Sequence, residues 1–236
     1  MVAYQFLLLC GLVVTGTIWL RWGRRDPRLP GIYAAAMLGA FLGAKVVYLA
    51  AEGWMFWDSP NRWTIFATGK TILGALLGGY AGVEWAKRLL KYQDATGDRF
   101  ALVVPIGIII GRIGCLLHGC CPGQICETSR WWTMDDAAGN PRWPSVPLEI
   151  LFNVTALLAF GLLRRRHALT GQHFHLYLIG YGLFRFAHEF FRDTPRLAGA
   201  VSGYHLAALA VTALGLAGFL HRQCQSAKRT VVSDVA

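Results

Sequence analysis

Long apolar runs separated by short, polar and mostly basic connections dominate the pattern along this chain. Seven stretches, at 2–20, 31–52, 67–86, 100–117, 146–163, 172–191 and 199–220, qualify as membrane-crossing helices, because a hydrocarbon core of about 30 Å takes roughly 20 mainly apolar residues to cross. The pattern predicts an all-α integral membrane protein of about seven transmembrane helices, a single transmembrane domain over residues 1–236. Its one long connection, residues 118–145, joins spans 4 and 5.

The connections supply the orientation, since basic residues in short loops stay cytoplasmic. Arg21, Arg24, Arg25 and Arg28 follow span 1; Lys87, Arg88, Lys91 and Arg99 follow span 3; Arg164, Arg165 and Arg166 follow span 5; Arg222, Lys228 and Arg229 follow span 7. The other connections carry fewer basic residues, accompanied by Glu52, Asp58, Glu127, Asp135, Asp136 and Asp193. This alternation predicts an N-terminus outside, a C-terminus in the cytoplasm and an extracytoplasmic 118–145 loop. Composition agrees, with 55% hydrophobic and only 15% charged residues, too apolar for an ordinary water-soluble domain. The net charge of +10 is dispersed over several loops, where it acts as a topology signal and contacts anionic lipid. No nucleic-acid partner is expected.

Ionisable residues within the apolar stretches change the picture most. An ionisable side chain at membrane depth costs about 3 kcal/mol or more to insert and normally faces the bundle interior, which makes it a functional hypothesis. Lys45, Arg112, Glu149, Arg185, Glu189 and His205 fall on five different spans, and the predicted directions place all six in the outer third of the membrane. Tyr177, Tyr181, Arg185, Glu189 and Arg192 recur at spacings of four and three, which stacks them on one helical face. Cations outnumber carboxylates in this group, and a buried cationic excess calls for an anion. In the outer leaflet that anion is a phospholipid phosphate, which arginine recognises through two parallel hydrogen bonds. Gly74 and Gly78 on span 3, and Gly111 and Gly114 beside Arg112, leave room either for a lipid or for close helix packing.

The segment G-R-I-G-C-L-L-H-G-C-C-P-G at 111–123 resembles the signature of bacterial prolipoprotein diacylglyceryl transferases, usually G-R-x-G-N-F-x-N-x-E-x-x-G. In the same order along the chain, G-A-K-V-V-Y at 43–48, P-S-V-P-L-E at 144–149 and Y-G-L-F-R-F-A-H-E-F-F-R at 181–192 resemble further motifs of that family. The resemblance covers roughly residues 35–210. It implies transfer of a diacylglyceryl group from phosphatidylglycerol to the cysteine thiol of a lipoprotein precursor. It also implies a multi-pass protein of the bacterial inner membrane, with its site facing the exterior and no cofactor. Carried over by motif, Arg112 and Arg185 would bind and polarise the phosphate, Glu189 would orient Arg185, and Gly123 would shape the neighbouring loop. Lys45, Tyr48, Gly74, Gly78, Gly114, Cys115, Glu149, Tyr181 and Arg192 complete the expected substrate-binding set.

Several positions depart from the family pattern. Where its third span reads H-G-G, with the histidine as proposed base, this chain reads Leu73, Gly74 and Ala75. Cys115 and His118 replace two asparagines of the signature, and Cys120 replaces its glutamate. The acceptor proton would then pass to His118, the candidate carried in the catalytic set, or to His188 or His205, or the reaction differs. Cys115, Cys120, Cys121 and Cys126 form a constellation of their own with His118. On an oxidising face such residues form a disulfide, bind a metal or remain as buried thiols, and the spacing matches no standard zinc pattern. The competing reading is a non-enzymatic, thiol-redox or metal-handling membrane protein using the cluster from Cys115 to Cys126.

Overall fold

The computed structural model describes residues 2–24 and 26–233, with side chains at 9–24 and 26–225. Arg25 and the side chains of Lys228 and Arg229, used above for orientation, lie outside the described set. Among the described residues the chain forms eight α-helices: α1 (Val2–Gly23), α2 (Arg28–Ala51), α3 (Arg62–Thr68), α4 (Ile72–Leu89), α5 (Gly97–His118), α6 (Ser145–Arg165), α7 (His173–Glu189) and α8 (Gly203–Ser233). A 3-10 turn at Gly53–Phe56 follows α2, and two short strands, β1 (Met134–Asp135) and β2 (Pro141–Arg142), pair in the loop between α5 and α6.

Each of the seven predicted stretches overlaps a helix, although the last begins at residue 199, four residues before α8. Among the described residues, four helices, α2, α5, α6 and the Gly203–Gln225 part of α8, are long and apolar enough to cross a membrane. The shorter α7 has 17 residues, and α4 carries Glu84, Lys87 and Arg88 in its last turns. The predicted third stretch starts too early: residues 62–68 form the separate helix α3, Gly69 is extended, and α4 begins only at Ile72. The break has a local cause. The Tyr48 ring lies where a side chain on Gly69 would stand, and the Thr71 amide donates to the Ala44 carbonyl at 3.3 Å, which draws this segment onto α2.

Polarity is inverted relative to a water-soluble fold. Phe41 is 63% and Leu158 71% exposed, whereas Glu149 and Glu189 are fully buried. Water would penalise that exterior, while hydrocarbon accepts it and drives the polar groups inward to find partners. The outer surfaces of α2, α6 and α8, with Leu38, Phe41, Val46, Leu151, Leu162, Leu206 and Leu216, form this apolar exterior.

Two close helix crossings hold the interior. Gly39 and Gly43 of α2 meet Gly74 and Gly78 of α4 backbone to backbone, so that a Cβ on any of the four would strike the facing main chain. Gly74 and Gly78, expected in the substrate-binding set, thus sit at this helix crossing. The space they leave is filled by α2, as in membrane helix pairs built on small residues four apart. On the other side, Gly182 of α7 abuts the Ala208 carbonyl and Thr212 of α8, and Gly215 of α8 abuts the His175 carbonyl. The Leu73 side chain is buried in the apolar core.

The 118–145 loop is fastened over one end of the bundle. Gly123 bridges to Arg192, the Gln124 amide donates to the Phe191 carbonyl at 2.9 Å, and Trp143 stacks on Phe191 at 4.5 Å. Arg142 donates to Asp136 at 2.6 Å and to Asp193 at 3.0 Å, tying the hairpin to the segment after α7.

Candidate active site

Five of the six intramembrane ionisable residues converge where α5, α6, α7 and α8 meet beneath this loop. Arg112 of α5 pairs with Glu149 of α6 at 2.7 Å. The Tyr181 hydroxyl of α7 donates to the other Glu149 oxygen at 2.7 Å. One turn above, Arg185 donates to Glu189 at 2.8 Å, and Arg192 approaches the same carboxylate oxygen at 3.7 Å. Thr194 donates to the second Glu189 oxygen at 2.7 Å and Ser202 lies 3.4 Å from it. Ser202 also meets His205 Nδ1 at 3.0 Å, which joins α8 to the cluster. Spacing on α7 explains the stack, since Tyr181, Arg185 and Glu189 lie four residues apart and share one face.

Charge and hydrogen-bond capacity do not balance among these groups. Arg112, Arg185 and Arg192 are all buried and, among the described residues, form ion pairs with Glu149 and Glu189, while Glu52 at the end of α2 stands near Arg192 without pairing directly. Arg112 Nε, Arg185 Nε and Nη1, and Arg192 Nε and Nη1 have no protein acceptor. Buried donors are normally satisfied, and a charged donor left unpaired is costly. The two carboxylates are occupied in orienting the guanidinium groups, so the remaining donors suit an external acceptor of at least one negative charge with several oxygens. A phosphate diester meets that description, and arginine engages its oxygens through its planar fork.

The other expected residues occupy distinct positions. Lys45 does not join the arginines; its ammonium donates to the carbonyls of Phe66 (2.7 Å) and Ala67 at the end of α3. Tyr48 is buried against Gly69. Gly114 is buried one turn from the end of α5, and Cys115 Sγ lies 4.0 Å from Arg112 Nη1. His118 is the exposed last residue of α5. A side chain on Gly123 would strike the Trp143 carbonyl and come within 2.8 Å of Ser145 Oγ, so glycine is needed there to bring the loop onto Arg192. His188 is buried and stacks on Phe184 at 5.0 Å, with neither ring nitrogen hydrogen-bonded to protein. The described cysteines are free thiols, and the sulfurs of Cys115, Cys120 and Cys121 lie within 4.8 Å of one another, while Cys126 stands apart beside the Gln124 carbonyl.

Three contributors escaped the sequence reading. Thr194 and Ser202 hold Glu189, and Arg196 gathers the carbonyls of Glu189, Phe190, Arg192 and Ala200 at 3.0–3.2 Å. Arg196 therefore fixes the turn that carries Arg192. For Thr194 and Arg196 the signal was the dense polar run R-D-T-P-R directly after the α7 stripe, and Ser202 lies outside that run.

Comparison with known proteins bears on this geometry. A family model described as prolipoprotein diacylglyceryl transferase matches residues 1–221. A phosphatidylglycerol–prolipoprotein diacylglyceryl transferase of Pseudoalteromonas atlantica is 32% identical over 200 residues, covering 83% of this chain and 69% of the relative. The Paracidovorax citrulli protein of the same name is 29% identical, covering 77% of this chain and 69% of its own. The second such transferase of Clostridium perfringens is 28% identical over 207 residues, 82% of this chain and 80% of its own.

Proposed function

Because this chain belongs to the prolipoprotein diacylglyceryl transferase family, we propose that it moves the diacylglyceryl group of phosphatidylglycerol onto the cysteine thiol of a lipoprotein precursor. The observation that carries this reading is the buried excess of arginine over carboxylate, with five guanidinium nitrogens lacking a protein acceptor. It acts as a seven-span protein of the bacterial inner membrane, N-terminus outside, with the arginine cluster toward the exterior face. Phosphatidylglycerol, the precursor's signal peptide and the surrounding bilayer are its partners.

The chemistry follows from the charges. A thiolate attacks the glyceryl carbon that bears the phosphate ester, the C–S bond forms as the C–O bond breaks, and the electron pair leaves on glycerol phosphate. Arg112 and Arg185 hold the departing phosphate, and donors fixed before reaction stabilise charge without reorganising. Glu149 and Tyr181 orient Arg112, while Glu189, with Thr194 and Ser202 behind it, orients Arg185. Gly114 and Cys115 border the phosphate position beside Arg112, and Gly123 holds the loop against Arg192.

Purified protein in phosphatidylglycerol vesicles, supplied with a signal peptide containing a lipobox cysteine, is expected to release glycerol phosphate and raise the peptide mass by one diacylglyceryl group. Vesicles of phosphatidylethanolamine alone are expected to give neither product. Absence of transfer from phosphatidylglycerol by well-folded protein would contradict the proposal.

A further inference from the structure

The reaction needs a thiolate, and the position at which the family carries a histidine holds Leu73, which accepts no proton and is buried in the core. The thiols beside Arg112 offer another route. Helix α5 ends at Gly119, whose left-handed backbone (φ 66°) stops the helix, and the Cys120 amide returns to the Cys115 carbonyl at 3.1 Å. Cys121 is also left-handed, with φ 62°, a conformation that disfavours a residue with a side chain. The result of this reversal is convergence. Cys115, Cys120 and Cys121 bring their sulfurs within 4.8 Å of one another, with 3.9 Å between Cys120 and Cys121.

That spacing has a chemical meaning. A disulfide needs about 2.05 Å, whereas three thiolates around one zinc ion, at about 2.3 Å from the metal, stand roughly 3.8–4.0 Å apart. Three thiolates around a divalent cation carry one net negative charge, which complements the neighbouring excess of arginine. Three protein ligands with an open fourth position is also the pattern of catalytic rather than structural zinc.

We propose that Cys115, Cys120 and Cys121 form a three-thiolate site for zinc, and that its fourth position takes the acceptor thiol. The second half rests on the transferase reading above. On binding, the acceptor S–H gives its proton to water at the outer face, because a metal-coordinated thiol is deprotonated outright. The resulting thiolate then makes the C–S bond while the C–O electron pair leaves with the phosphate held by Arg112 and Arg185. The thioether product is a weak ligand and departs. No oxidant or reductant enters the reaction.

The test is metal analysis of the full chain purified in detergent, followed by replacement of zinc with cobalt(II). One zinc per chain is expected, and cobalt(II) should give a sulfur-to-metal charge-transfer band from three thiolates. The band should fall by about a third in Cys120→Ser, stay unchanged in Cys224→Ser, and grow when the lipobox peptide is added. Absence of zinc together with absence of a sulfur band in the folded protein would overturn the site, and copper(I) in place of zinc would overturn the metal assignment. Transfer at the parental rate after zinc removal, or a band that ignores the peptide while transfer proceeds, would overturn the acceptor role alone. If zinc binds through all three sulfurs but phosphatidylglycerol is not consumed, the transferase reading fails, and the acceptor role with it, whereas the metal site stands.

Discussion

On the proposed roles of Arg112 and Arg185, replacing either by alanine removes one charged hydrogen bond to a phosphate in a water-poor site. The expected loss is about 2–4 kcal/mol of transition-state stabilisation, or roughly 30- to 1000-fold in transfer rate. Lysine at either position keeps the charge but not the fork, so Arg112→Lys and Arg185→Lys should recover little of that loss. Each variant needs a stability check by thermal unfolding, since stranding Glu149 or Glu189 without its partner costs about 3–5 kcal/mol. Tyr181→Phe is the contrasting case. It deletes one donor to Glu149 and leaves the Arg112 pair intact, so a loss of about 1–2 kcal/mol in stability is expected with less than a tenfold change in rate. A rate loss as large as that of Arg112→Ala would mean that Tyr181 itself touches the reacting groups. The charged members of the site were legible because lipid penalises an unpaired charge, which forces such residues to converge. Thr194, Ser202 and Arg196 were not, because a polar residue in a loop meets no such penalty and leaves no mark in the pattern. Lys45 shows a related limit of the pattern: depth alone does not distinguish a lysine facing an anion from one that donates to the carbonyls ending α3.

At the scale of elements, the crossing of α2 and α4 is the most sensitive feature. Gly43→Leu or Gly78→Leu would drive a side chain into the facing backbone, and overpacking there should cost at least about 3 kcal/mol. Such variants are expected to unfold at clearly lower temperature in detergent and to accumulate poorly in the membrane, whereas Gly161→Ala, with open space around it, should match the parent. Glycines four apart suit a lipid cavity and a helix crossing equally well, so only the position of α2 decides between them. The helix α3 and the β1–β2 hairpin escaped the reading because each is too short to generate a periodic signal. The hairpin carries its own prediction. Arg142, with the Asn140 amide, holds the Asp136 carboxyl well below its ordinary range. A carboxyl lowered on folding stabilises above its unfolded pKa near 4, and that contribution fades as pH falls below it. Protease cleavage between residues 130 and 142 should therefore begin to rise as pH falls from 5 to 3 with a site-tolerant acid protease, and Asp136→Asn should be cleaved readily at both pH values.

For the molecule as a whole, the alternation of basic connections predicts which end of the bundle meets the exterior. A reporter fused after Arg166 is expected to show a cytoplasmic location, and one inserted near Asp136 an exterior one. The reverse result would place the arginine cluster on the wrong face for an exported acceptor. The most direct measurement of the central claim is made in cells depleted of their own diacylglyceryl transferase, where the N-terminal peptide of a reporter lipoprotein is weighed by mass spectrometry. With this chain supplied, the reporter cysteine should carry one added diacylglyceryl group. With an equally abundant Arg112→Ala variant, the modified fraction should fall at least about 30-fold when the assay is kept in its initial, linear range. An unmodified reporter beside well-inserted parental protein, or equal modification by the variant, would contradict the account.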